Sequence, residues 1–301
     1  MSSAQQDNAR APLVSVGIPV YNGSRYIREA LDSVLAQTLS DFELIVADNH
    51  STDSTEDICR DYARRDPRIR YIRHDRNCGL LANFAFVAQQ ARGQFFTWLA
   101  YDDALGPDYL EKIVPFLSRH DQLAIAANDF MIIDQTGKEL RIDKLDLVRE
   151  SIPWEDRRVP FFEYGYRNIH LCFYGLTHTA LCKRIMAEAR PPKMADGVEY
   201  PVLARFAAAG EIVAVPLVLR KYRSHSSGNY LAEVAKRNEK KWRGVYFFYS
   251  NLFKMRVELF SILVRSPLPL ASKLRILRRH MILDFRWYLY KIGQTLHIHR
   301  D

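Results

Sequence analysis

The chain is poor in the features that mark several large protein classes. No apolar run approaches the ~18 residues a membrane-crossing helix needs, so a membrane-spanning chain is not expected. The opening residues, MSSAQQDNARAP, hold no apolar segment, and no secretory leader is expected from them. Cysteine is scarce: Cys59, Cys78, Cys172 and Cys182 are scattered through 301 residues with no C-x-x-C pair. That reads as reduced thiols of a cytosolic chain. Neither G-x-G-x-x-G nor G-x-x-x-x-G-K-[ST] occurs, which removes most support for a dinucleotide dehydrogenase or a P-loop phosphotransferase. H-E-x-x-H and G-x-S-x-G are also absent, and zinc proteases and serine hydrolases go with them.

What is present is ordinary in bulk and uneven in charge. Hydrophobic residues make up 48% and charged residues 26%, the balance of a soluble globular protein. At roughly 150 residues per domain, the length allows one large domain or two small ones. Residues 221–301 carry 17 Lys/Arg against 5 Asp/Glu, whereas residues 1–220 carry 26 against 30. A basic tail on a mildly acidic body points to a negatively charged surface as partner, lipid headgroups or nucleic acid.

The first half alternates strand-like and helix-like segments. LVSVGIPV (13–20), FELIVA (42–47), 69–72, QFFTWL (94–99) and 123–133 read as strands. Between them, Tyr26 to Leu35, about 54–65, Leu81 to Ala88, and Pro107 to about Ser118 have helical spacing, with Asn22 or Ser24 and then Ser51–Asp53 available as caps. This order predicts a mostly parallel sheet with helices on both faces, whose ligands bind beyond the carboxyl ends of the strands. Polar clusters fall at those ends: Tyr21-Asn22, Asp48-Asn49-His50, Arg76-Asn77 and Asp102-Asp103. Residues 136–170 show no readable order; Ile212–Tyr222 is again strand-like.

Adjacent carboxylates at a strand end, Asp102 and Asp103, suit a hard divalent cation that also holds phosphate oxygens. Such an ion neutralises a departing diphosphate. The same pair also suits a turn that caps the helix at Pro107.

The stretch VSVGIPVYNGSRYIREALDSVLAQTLSDFELIVADNHSTDST resembles the opening of the family 2 glycosyltransferases, inverting enzymes of the GT-A fold. Pro19–Asn22, Ala47–Asp53 and Asn77–Gly79 match three of that family's elements in order, and the resemblance covers 13–135 strongly and 170–228 weakly. It implies an α/β GT-A sheet, a nucleotide-diphosphate sugar donor (uridine favoured), a glycan or glycolipid acceptor, and Mn²⁺ or Mg²⁺. Pro19, Val20, Tyr21 and Asn22 would lie along the nucleotide, with Asp48 accepting hydrogen bonds from the base and His50, Arg76, Asn77 and Asp102 completing the lining. Asp48 could instead cap the next helix, and Arg76 could be a solvated loop charge. Asp103, Asp102 and His225 would hold the metal, His225 being also consistent with an exposed loop residue. Ala100 stands where many members have a further Asp. The catalytic base, counted back from Gly210, falls on Glu199, where Asp is usual, with Asp196 as second candidate; either also fits a helix-start carboxylate facing solvent. These departures leave a catalytically inactive sugar-nucleotide-binding scaffold as the alternative.

The expected layout is a flexible 1–12, a catalytic domain over 13–228 (13–135 for the nucleotide sugar, 136–228 for the acceptor), and a basic helical region over 229–301. In the last, Leu274, Leu277, Met281, Phe285, Tyr288, Leu289 and Ile292 form a stripe flanked by Lys and Arg. Such a helix lies on an anionic membrane, packs on the domain or pairs with a second copy. Nucleic acid is not expected, since no binding module accompanies the charge. The implied location is cytoplasmic, at the membrane face.

Overall fold

The computed structural model describes residues 10–120, 122–146, 154–162, 168–189, 199–225 and 256–279. In chain order the elements are β1 (Val14–Val20), α1 (Ile27–Leu35), β2 (Phe42–Asp48), α2 (Thr55–Arg65), β3 (Ile69–Arg73), α3 (Leu80–Gln90), β4 (Phe95–Trp98), β5 (Ala104–Leu105) and α4 (Tyr109–Ser118). There follow β6 (Leu123–Ile133), β7 (Glu139–Asp143), α5 (Trp154–Arg158), β8 (Thr177–His178), α6 (Thr179–Glu188), α7 (Glu199–Ala209) and β9 (Glu211–Arg223). Two further helices, α8 (256–265) and α9 (270–279), close the described chain.

β1 is buried at every position, as a strand with covered faces and two neighbours must be, and it reads as a continuous apolar run for that reason. It pairs in parallel with β2 from Val14↔Phe42 to Val20↔Asp48 and with β4 from Val14↔Phe95 to Gly17↔Trp98. The first sheet has the order β3-β2-β1-β4-β8, with β8 antiparallel on β4. The chain runs outward from β1 to β3, then returns to the other side of β1. That reversal opens a crevice at the carboxyl ends of β1 and β4, the usual ligand position in open α/β sheets.

Side chains alternate across this sheet as the pleat requires. Val16, Ile18, Leu44 and Val46 enter one core with Leu31 and Tyr109; Ile45, Ala47, Phe96 and Trp98 enter the other with Phe84, Val87 and Phe206. Gly17 faces the second side, where a Cβ would lie 2.2 Å from Val87 Cγ1; its lack of a side chain lets α3 lie close on β1. The Trp98 ring stacks on Phe173 at 4.4 Å and 11°, and its Nε1–H donates to the Phe84 carbonyl at 3.2 Å. α8 and α9 bury Leu259, Leu263 and Ile276 against this same core.

The structure departs from the sequence expectation at the fifth strand. β6 does not extend the parallel sheet, because the free edge of β4 is taken by β8. β6 instead forms a second sheet of order β5-β9-β6-β7, parallel to β9 and antiparallel to β7. A single bridge, Ala126↔Leu176, joins it to the segment leading into β8. The α/β class holds, with a mostly parallel first sheet and antiparallel pairs at β8, β5 and β7. The four cysteines are free, and all but Cys78 are buried.

Candidate active site

The loops that follow β1 and β2 are stitched into one unit. Asn22 adopts φ +51°, and its backbone N–H donates to Ser51 Oγ at 2.9 Å while its side-chain oxygen accepts from Thr52 N–H at 2.8 Å. Gly23 N–H donates to Thr55 Oγ1 at 2.8 Å and Ser24 N–H to Asp53 Oδ2 at 3.1 Å. Desolvation pulls the Asp53 pKa up, but hydrogen bonds from Thr55 and Ser24 more than offset it and bring the value to about 2. The loops after β2 and β3 join similarly: Asn49 Nδ2 donates to Asn77 Oδ1 at 3.0 Å, and Cys78 N–H donates to Asn49 Oδ1 at 2.8 Å.

Asp48 lies at the base of this unit and is fully buried. Its Oδ1 accepts Ser51 N–H at 2.7 Å and its Oδ2 accepts the Tyr71 hydroxyl at 2.7 Å, with Arg73 Nε at 3.9 Å. The carboxylate is therefore committed to the protein's own loop. Asp48→Ala leaves the Tyr71 hydroxyl and Ser51 N–H without their acceptor and should cost about 1–3 kcal/mol, read as a lower melting temperature. An unchanged melting temperature with weakened nucleotide binding would return Asp48 to the base-binding role that the family resemblance implies.

The turn after β4 is held from the far end of the chain. Arg223, closing β9, donates its backbone N–H to Asp103 Oδ1 at 2.8 Å and its Nε–H to the Asp102 carbonyl at 2.8 Å. Its remaining guanidinium nitrogens reach the Asp134 carbonyl and the Glu29 carboxylate, and it lies over the Tyr26 ring at 4.6 Å. Asp103 is thereby buried, 5% exposed. Burial pushes its carboxyl well above the usual carboxylate range, and the Asp102 charge adds to this, against the pull of the Arg223 N–H and the Arg220 and Arg223 charges. Asp102 differs: its side chain is 16% exposed, and its Oδ2 lies 2.6 Å from His225 Nε2. Of the three expected metal ligands, the structure pairs Asp102 with His225 and turns Asp103 into the fold.

These elements enclose a cavity of about 340 Å³. Pro19, Val20 and Tyr21 line it from the end of β1, Asn49 from β2, Ala100, Tyr101 and Asp102 from β4, Leu80, Asn83 and Phe84 from α3, Phe173 and Tyr174 from the turn over Ile169–Tyr174, and Glu199 from the start of α7. Thus Pro19, Val20, Tyr21, Asp102 and Glu199 are brought together as the sequence led us to expect. Asp48, His50, Arg76, Asn77, Asp103 and His225 are not in the lining: Asp48 is internal, His50 Nδ1 pairs with the His74 carbonyl at 3.2 Å, Asn77 braces Asn49, Arg76 is exposed, Asp103 is turned into the fold, and His225 meets the lining through Asp102. Asn22 likewise serves the loop. Asp196 lies outside the described residues.

Asp102 and Glu199 are the charged side chains of the lining. Burial raises the Tyr174 phenol, and Glu199, Asp103 and Asp102 push it further; Tyr222 is raised by burial and then by Asp103, Asp102 and Glu199. Both phenols therefore stay protonated. Carboxylates beside a phosphate ligand suit a divalent cation placed between them. Among the described residues no three candidate ligands cluster. One carboxylate with one imidazole is nonetheless a donor set that fits Mn²⁺ when phosphate oxygens and water complete the shell.

Sequence reasoning missed Asn49 as a wall residue and Phe173 and Tyr174 altogether. The first was hidden in a polar cluster whose members face different ways; the others sit in a short 3-10 turn with no apolar period to read. A larger groove, about 1150 Å³, lies between the ends of α6 and α7 and α8. Its carboxylates are Glu188 and Glu258, the latter 3.3 Å from Arg205, and it contains none of the expected site residues.

The family model described as "Glycosyl transferase family 2" matches residues 15–187. An uncharacterized glycosyltransferase of Rickettsia felis is 38% identical over 144 residues, 47% of this chain and 23% of that protein. Across the Rickettsia relatives it matches, the aligned part spans 19–51% of their length. The crystal structure of Staphylococcus aureus TarS residues 1–349 with UDP-GlcNAc superposes with a TM-score of 0.67 at 17% identity, covering 89% of this chain and 71% of that one. The mannosyltransferase PcManGT of Pyrobaculum calidifontis, with GDP-Man and Mn²⁺, gives 0.54 at 16% identity, covering 97% and 82%. At these identities the two structures establish the fold.

Proposed function

The chain belongs to glycosyl transferase family 2, and from that membership and the cavity together we propose that it moves a sugar from a nucleotide-diphosphate donor to an acceptor hydroxyl. The observation that carries the reading is that Asp102 and Glu199, 97 positions apart, line one cavity with Pro19–Tyr21 at the strand-order reversal. The UDP-GlcNAc and the GDP-Man with Mn²⁺ in the two structural relatives support a nucleotide sugar and a divalent ion here. A UDP-sugar is the donor we favour, and a glycan or glycolipid the acceptor. Residues 13–135 then serve as the nucleotide-sugar half, and 136–228 as the acceptor half.

In this arrangement the base lies against Tyr21 and Asn49, and the diphosphate points toward Asp102 and His225. Asp102 and His225 would hold Mn²⁺, which when bound neutralises charge on the leaving diphosphate. Arg223 and Asp103 fix the backbone that carries Asp102. The sugar faces Phe173, Tyr174 and Glu199. Glu199 takes the acceptor proton as the acceptor oxygen attacks the anomeric carbon. The bond from that carbon to the diphosphate oxygen breaks, its electron pair leaves with the nucleotide diphosphate, and the configuration inverts. Tyr174 and Tyr222, kept protonated, leave Glu199 as the proton acceptor among these groups.

A melting-temperature screen of nucleotide sugars with and without Mn²⁺ tests the reading. A donor at 100 times its Kd stabilises by about 2.7 kcal/mol, so at least one UDP-sugar should raise the midpoint, and more so with Mn²⁺. No shift with any nucleotide sugar would overturn it.

A further inference from the structure

We propose that α8 and α9 form a docking surface for an anionic lipid bilayer. Each helix carries apolar side chains packed into the domain and others that face solvent. One is spent on the domain: Leu259, Leu263 and Ile276 are buried in its core, with Leu277 packed against it. The other faces outward: Val257 is 52% exposed, Phe260 54%, Val264 49%, Leu270 71% and Leu274 56%. At 3.6 residues per turn, Val257, Phe260 and Val264 fall within about 60° of each other, and Leu270 and Leu274 within about 40°. Lys273 Nζ donates to the Val264 carbonyl at 2.6 Å, which sets the exposed end of α8 beside the exposed start of α9.

The charge around this surface identifies what covers it. Residues 256–279 hold six Lys/Arg and one acid, Glu258, and Glu258 already lies against Arg205. Arg265, Arg275 and Arg278 are exposed. Apolar side chains flanked by cations match a bilayer whose headgroups are anionic. A second copy meeting this face would set like charge against like charge. A nucleic acid would leave the apolar stripe unused. The surface differs from the stripe expected from sequence: Leu277 packs inward, and Met281, Phe285, Tyr288, Leu289 and Ile292 lie outside the described residues. Among the described residues no helix is long and apolar enough to cross a membrane, so contact here is at the interface. This deepens the glycolipid-acceptor reading by naming the surface that would bring the enzyme to such a substrate. Vesicle binding is read without donor or acceptor, so the two readings fail separately.

The test is sedimentation of the full chain with phosphatidylcholine vesicles, with and without phosphatidylglycerol. The chain should sediment with the phosphatidylglycerol vesicles and be released as salt rises. The combined variant Arg265→Gln, Arg275→Gln, Arg278→Gln should bind about 100-fold more weakly, and so should Phe260→Ser with Leu270→Ser and Leu274→Ser. Donor-induced melting shifts should be unchanged in both. Because the glutamine variant leaves every apolar side chain in place, it decides the matter if the serine variant unfolds. A chain that stays in the supernatant, or a glutamine variant that sediments like the unchanged chain, would overturn the proposal. So would an apolar variant that changes only the mass in solution, since a second copy would then be the occupant.

Discussion

Glu199→Gln should bind the donor nucleotide sugar as the unchanged chain does and turn over about 10²–10⁴-fold more slowly, the usual loss when a general base is removed. The substitution keeps size and polarity and removes only the ability to accept a proton. Glu199 stands at the first position of α7, on the cavity wall that also carries Tyr174, and in the proposed arrangement it faces the sugar rather than the nucleotide. Calorimetric donor affinity and single-turnover rate, measured on the same preparation, separate the two roles. Equal turnover in the variant would move the base elsewhere, with Asp196 the next residue to test by Asp196→Asn. Equal turnover in both variants would mean that neither carboxylate is the base.

Asp102→Ala should give the complementary result. Metal-dependent affinity for the donor diphosphate should fall by on the order of 10²–10³-fold, while nucleoside binding, proposed to lean on Tyr21 and Asn49, should change little. The fold should survive, because Arg223 holds this turn through the Asp102 backbone carbonyl and the Asp103 carboxylate and not through the Asp102 side chain. Donor titrations with and without Mn²⁺ check this. An unchanged Mn²⁺-dependent affinity would remove Asp102 from the diphosphate end of the site. The paired substitution Asp103→Ala should instead lower stability, since it strips the acceptor from the Arg223 N–H.

The contrast between these two neighbours shows where sequence reading stops. The Asp-Asp pair was visible, as was its position beyond an apolar strand. Adjacent side chains at a strand end point in different directions, and nothing in the string of residues says which carboxylate looks outward. The same holds for Asp48 and Asn49: the sequence favoured the aspartate, and the structure puts the asparagine on the cavity and the aspartate under the loop. The first four strands were legible because their buried runs and polar ends repeat at regular intervals. β6 was legible as a strand but not in its partner, since β8 is two residues long and gives no signal of the edge it occupies. Phe173 and Tyr174 carry no periodic signal, and Phe173 is placed by its packing on Trp98.

The fold now explains the position of Glu199. α7 ends just before β9, and β9 carries Arg223 back to the Asp102–Asp103 turn. The segment that supplies the candidate base is thus tied to the one that supplies the candidate metal ligand, through a strand parallel to β6 and a guanidinium shared by Glu29, Asp102 and Asp134. Two weakly marked parts of the chain meet at one cavity for that reason.

The most direct measurement is a crystal structure of the chain grown with UDP and Mn²⁺. Density for the nucleotide is expected along Pro19–Tyr21 and Asn49, with the diphosphate and ion between Asp102 and His225. Nucleotide found instead in the groove bounded by Arg184 and Arg205, or at any place away from Asp102 and Glu199, would contradict it.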